Sequence, residues 1–131
     1  MTDTLVYETL GKSGFYELVA AFYRRVKVDD LIGPMYPDDE WEASEERLRE
    51  FLLFRFGREM DYIEKRGHPR LRMRHLPFRI GIAERDRWLE LMEAAMEETE
   101  VAENVAQELR AFFNQVADFM RNVPGEAEPL K

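Results

Sequence analysis

Residues 13–30 read SGFYELVAAFYRRVKVDD, and their period decides the fold class. Phe15, Leu18, Val19, Phe22, Tyr23 and Val26 recur at steps of three and four, which lays one apolar stripe along an α-helix. Ser13 is placed to cap its start, with Gly11 and Gly14 marking a turn before it. Immediately downstream, LIGPMYPDDE breaks the period with Gly33, Pro34 and Pro37. A second helix is expected over about Trp41 to Phe56, capped by Asp38 or Asp39 and stopped by Gly57. Ser44, Leu48, Phe51, Leu52 and Arg55 share one of its faces.

Further out, ERDRWLELMEAAMEET (residues 84–99) gives a third helix with the stripe Trp88, Leu91, Met92, Ala95 and Met96. Its acidic first turn suits the positive end of the helix dipole. AENVAQELRAFFNQVADFMRNV (residues 102–123) gives a fourth, with Val105, Leu109, Phe112, Phe113, Val116, Phe119, Met120 and Val123 aligned. The stretch from 58 to 82 is the least regular, and Pro69 and Pro77 leave RLRMRHL room for about two helical turns. No segment alternates with a period of two, so the fold class is all-α.

The chain of 131 residues fits one domain, expected over 1–123, with the polar segment PGEAEPLK (124–131) as a frayed tail. Hydrophobic residues at 45% beside charged residues at 35% read as a soluble globular protein. There is no cysteine, which excludes disulfides, zinc–thiolate sites, iron–sulfur clusters and a cysteine nucleophile. Neither a basic-then-apolar leader nor a long apolar run is present, so a cytoplasmic protein without a membrane segment is expected. The balance of 27 acidic against 19 basic residues argues against nonspecific nucleic-acid binding.

Against that acidic background, RGHPRLRMRHLPFRI (residues 66–80) gathers five arginines and both histidines of the chain. The Glu-x-x-His pairs of di-iron bundles are absent, because Lys65 and Arg72 stand three residues before His68 and His75. The His-Glu-x-x-His zinc signature and a glycine-rich phosphate loop are absent too. Haem remains open to such a chain. It brings four equatorial nitrogens and needs a single axial imidazole from the protein. Its propionates attract arginine, and Phe, Met and Leu line its slot. The two histidines are seven residues apart, about 10.5 Å along a helix, with a proline between, so they do not bracket one iron. The opposite face then falls to other polar groups. Tyr23 and Trp88 each interrupt an apolar stripe with an O–H or N–H that needs a partner when buried. On the residues alone a second reading stands beside this one. It is a haem-free helical interaction module that docks an acidic partner through the basic 66–80 segment, and a histidine is more often a packing or surface residue than a ligand.

Taken together, FYRRV, YPDD, EERLREFL, RGHPRLRMRHLPFRI and ERDRWLELM resemble the truncated haemoglobins of group II, from about Leu5 to Asn122. The resemblance implies a shortened globin fold, a two-over-two sandwich in which two antiparallel helix pairs cross around haem b (iron protoporphyrin IX). It implies His75 as the proximal iron ligand. It places Tyr23, Tyr36 and Trp88 on the distal side, where they stabilise the bound gas. Ser44 falls where globins often keep a distal histidine, which leaves a side entrance. Leu48 and Phe51 would overlie the haem, with Phe78 and Met92 near its edge. Arg47 and Arg74, then Tyr62, would hold the propionates, with His68 behind them. The implied function is reversible binding of O2, NO and CO with slow O2 release. NO oxidation or peroxide turnover would be the enzymatic extension, served by an unidentified reductase. The glycine pairs of the family are imperfect here: Gly11 and Gly14 are separated, and Gly57 is followed by Arg58.

Overall fold

The computed structural model describes residues 2–36, 39–57 and 80–121. Helix α1 runs Thr2–Lys27 and begins well ahead of Ser13. Gly11 sits inside it at φ 63, ψ 179, which breaks the hydrogen-bond ladder and kinks the rod. The expected turn is thus a break within a longer helix, and Ser13 is an exposed interior residue rather than a cap. All six residues of the predicted stripe are buried, joined by Val6 from the segment before the kink.

After α1 the chain makes one 3-10 turn, Gly33–Met35, and enters α2, Trp41–Gly57. The Ser44 N–H donates to the Glu40 carbonyl at 2.9 Å, so Glu40 holds the cap position expected of Asp39; Asp38 lies outside the described residues. Ser44, Leu52, Leu53 and Phe56 form the buried face, with Leu48 and Phe51 half-buried beside it. Arg55 lies at the rim of the same face. It is exposed, and its guanidinium lies 5.2 Å from the Phe56 ring centre and 5.1 Å from that of Phe112. Its stem and planar head cover the rim of the core.

Helix α3 spans Ile82–Glu98. The Gly81 N–H donates to Glu84 Oε1 at 2.8 Å, which satisfies one of the backbone donors left over at a helix start. The end of α3 closes with paired bonds, Val101 N–H to the Met96 carbonyl and Glu100 N–H to the Glu97 carbonyl, both at 3.1 Å. This is the arrangement that stops a helix on a left-handed residue, here Glu100 at φ 55. The link is short, and α4 follows at once over Glu103–Met120. Val105, Leu109, Phe113 and Met120 are buried along it.

Among the described residues there is no strand. Helix α1 packs along α2, α3 packs along α4, and α1 also contacts both members of the second pair. The core therefore lies where one pair crosses the other. Charged ties join α1 to α3 across the crossing and α3 to α4 within the second pair. Arg24 and Arg25 of α1 both pair with Glu98 of α3. Arg110 of α4 forks onto the two carboxylate oxygens of Glu93 at 2.8 and 3.0 Å. Arg85 reaches Asp118 at 2.6 Å. Exposed pairs of this kind contribute little, so burial holds the pairs together. No described helix is long and apolar enough to cross a membrane.

Candidate functional site

Two aromatic residues from different elements meet over the end of α1. Tyr23 comes from its buried stripe, and Tyr36 closes the 3-10 turn with its N–H donating to the Gly33 carbonyl at 3.1 Å. Their rings stand edge to face, 5.7 Å apart at 85°. Gly33 makes the approach close: a Cβ there would lie 2.6 Å from the Val26 carbonyl oxygen. Any side chain would lift the turn away from α1 and take Tyr36 with it.

From the other helix pair, Trp88 enters the same region. Its ring lies 4.9 Å from Phe22 and 5.5 Å from Phe113. The three polar hydrogens converge. The Tyr23 hydroxyl and the Trp88 indole N–H both lie close enough to the Tyr36 hydroxyl to bear on its titration. An indole only donates, so toward Trp88 the Tyr36 oxygen can act only as acceptor. Burial pushes the Tyr23 phenol well above its ordinary value, and the adjacent Tyr36 adds to the push. Burial raises Tyr36 as well, against the lowering influence of the neighbouring Tyr23 and Trp88 polar groups and the charge of Arg47. Both phenols therefore stay protonated, as donors, through the physiological range.

Helix α2 closes one side. Ser44, only 4 % exposed, accepts a hydrogen bond from Arg47 Nη2 at 3.1 Å. Arg47 also lies 4.0 Å from Glu40, and its charge reaches both phenols. Leu48 and Phe51 are half-buried against the core, and Phe51 stacks on Phe112 at 6.3 Å. Met92 is fully buried within the core itself. Trp41 was not anticipated. It opens α2 and stacks on Tyr36 at 5.4 Å and 25°, and it meets Tyr23 at 6.4 Å. Its position just after the proline-broken stretch that carries Tyr36 was the available signal.

The structure thus brings together Tyr23, Tyr36, Trp88, Ser44 and Arg47 from three helices and one turn. His75, Arg74, Tyr62, Phe78 and His68 lie outside the described residues. No cluster of three or more His, Asp or Glu that suits a metal ion occurs among the described residues. Three polar hydrogens set beside Phe, Leu and Met side chains can act as donors to a small polar ligand held beside a flat apolar group. Those residues fit one face of a haem.

The comparisons agree with that geometry. Residues 5–122 match the bacterial-like globin family. The chain is 40% identical over 91 residues to the group 2 truncated hemoglobin YjbI of Bacillus subtilis, an alignment covering 70% of this chain and 68% of that protein. A haemoglobin of the thermophilic phototroph Chloroflexus aurantiacus superposes with a TM-score of 0.85 at 43% identity, covering 90% of this chain and 98% of the other. The truncated oxygen-avid haemoglobin of Bacillus subtilis superposes with a TM-score of 0.84 at 34% identity, covering 89% and 98%. Such membership supports a haem globin that binds O2. With its two crossed helix pairs and its matched span, the chain belongs to the bacterial-like globins, as a truncated haemoglobin of group II.

Proposed function

We propose that the chain binds haem b through the imidazole of His75 and holds O2 on the opposite face with Tyr36, Trp88 and Tyr23, so that release is slow. Haem, when bound this way, supplies an iron with one position open to a diatomic gas. The observation that supports the reading is the convergence of Tyr23, Tyr36 and Trp88 on one buried region from three different elements. Bound O2 takes on negative charge, which strengthens a donor aimed at it. Each such bond contributes roughly 1–2 kcal/mol in a dry pocket. Two or three together slow release by on the order of 10²- to 10³-fold.

The remaining assignments follow the same frame. Leu48 and Phe51 exclude water above the ring, and the small buried Ser44 leaves a lateral way in. Arg47, already drawn to Ser44 and Glu40 at the edge of the site, is a propionate partner together with Arg74 and Tyr62. The superposed haemoglobin of Bacillus subtilis is oxygen-avid, which supports slow release here. A gas held so firmly suits reaction with a second small molecule better than transport. The two candidates are oxidation of NO to nitrate and turnover of peroxide, each served by a reductase.

The test is O2 dissociation measured by stopped flow. Tyr36→Phe and Trp88→Phe are expected to speed release at least tenfold. His75→Ala is expected to lose haem on gel filtration. Unchanged release in both aromatic variants would overturn the donor assignment, and retained haem in His75→Ala would overturn the ligand.

A further inference from the structure

The three donors reach one point from elements far apart in sequence, and only fixed spacing between those elements keeps them there. One carboxylate spans the gap. Asp29, in the connection between α1 and the 3-10 turn, has a side chain only 8 % exposed. Its Oδ2 accepts the backbone N–H of Leu31 at 3.0 Å and of Ile32 at 2.9 Å. These bonds fold the connection back on itself and set the start of the turn that ends in Tyr36. Its Oδ1 accepts Arg87 Nη1 at 2.6 Å. Arg87 is the residue before Trp88 on α3.

We infer that Asp29 and Arg87 form a positioning strap that ties the turn carrying Tyr36 to the helix carrying Trp88 and so sets the strength of the donor network. The inference rests on the proposed O2-binding role of those donors. The Asp29 carboxylate bears both functions at once, one oxygen to each element. Burial alone would raise its pKa, yet the Ile32 amide, Arg87 and the Leu31 amide together hold the carboxyl below its usual range. The link is therefore charged across the physiological range. Arg87 has further acceptors in Asp30 at 3.5 Å and Glu90 at 3.4 Å, both largely exposed. They keep the guanidinium extended along the surface while Asp29 takes its strongest bond. Two donors aimed at one ligand, from Tyr36 and Trp88, need the turn and α3 to hold within a few tenths of an ångström of each other. Nothing covalent sets that spacing.

The test separates the strap from the reading beneath it. Asp29→Asn keeps an oxygen for the two amides and removes the charge that holds Arg87; Arg87→Gln removes the other half. Each is expected to speed O2 release on the order of three- to tenfold, and the double variant no further, because both cut one link. The C–O stretch of the carbon monoxide adduct, which reads hydrogen bonding at the ligand and not fold stability, should shift in both. Arg87→Lys should restore part of both effects. In the Tyr36→Phe, Trp88→Phe background, Asp29→Asn should leave release unchanged. Without haem, hydrogen exchange at the Leu31 and Ile32 amides should stay protected in Asp29→Asn and quicken in Asp29→Ala. Should Tyr36→Phe speed release while Asp29→Asn and Arg87→Gln change neither release nor the C–O stretch, the strap is wrong and the donor reading survives. Should Tyr36→Phe and Trp88→Phe also do nothing, the donor reading itself has failed.

Discussion

Tyr36 is the residue on which the site turns. It is half-buried, stacked on Trp41, and set edge to face against Tyr23. Tyr23→Phe removes a hydroxyl beside Tyr36 and leaves the Tyr36 proton in place. It is therefore expected to speed O2 release less than Tyr36→Phe does, by about two- to fivefold for an indirect loss of roughly 0.5–1 kcal/mol. Stopped-flow release rates of the two variants, side by side, check the order; a larger effect in Tyr23→Phe would put the direct donor on α1 instead. The sequence showed Tyr23 and Trp88 because each breaks an apolar stripe. Tyr36 and Ser44 became visible as site residues only through the family resemblance. Asp29 and Arg87 are invisible to any periodic reading, since 58 positions separate them and each looks like an ordinary surface charge.

Among the elements, the connections are more telling than the helices. Apart from Arg55, each of the four helical stripes is found buried or half-buried where its side chains are described, because a 3.6-residue period is a local property that folding does not alter. The ends were less legible. Helix α1 starts before its strongest period does, and the kink at Gly11 conceals the continuation. Arg55 belongs to a face by spacing alone and lies over two rings at the rim. Two predictions belong here. Glu100 occupies a left-handed position that glycine adopts without strain. Glu100→Gly should therefore stabilise the chain by about 0.5–1 kcal/mol, net of glycine's own entropy cost. A raised urea midpoint is the check. Gly33→Ala should act in the other direction. Its Cβ would press on the Val26 carbonyl at 2.6 Å, a loss of about 1–3 kcal/mol for overpacking against backbone. Displacement of Tyr36 should accompany it, seen as faster O2 release in the protein that still folds.

For the whole molecule, the crossed pairs bury a core that includes Phe15, Leu18, Phe22, Leu52, Met92 and Leu109 at the contact. Leu109→Ala should cost about 2–5 kcal/mol, as deletions from closed cores do, read from urea unfolding of the haem-free chain. Stability should also fall on the alkaline side. Tyr23 and Tyr36 have folded-state values raised above the unfolded phenol value of about 10. Their contribution is whole below that pH and is lost as pH rises through the raised values, because the unfolded chain releases its protons first. A urea series at rising pH should show a decline that is shallower in Tyr23→Phe; equal slopes would mean that the phenols are not buried as described.

The most direct measurement of the central claim is a titration of the purified full chain with ferric haem, followed in the visible spectrum and then reduced and exposed to air. The account predicts an intense violet band saturating at one haem per chain, conversion to a stable oxygenated spectrum, and loss of the saturable band in His75→Ala. A chain that takes up haem without saturation, or whose spectrum is the same with and without His75, would contradict it.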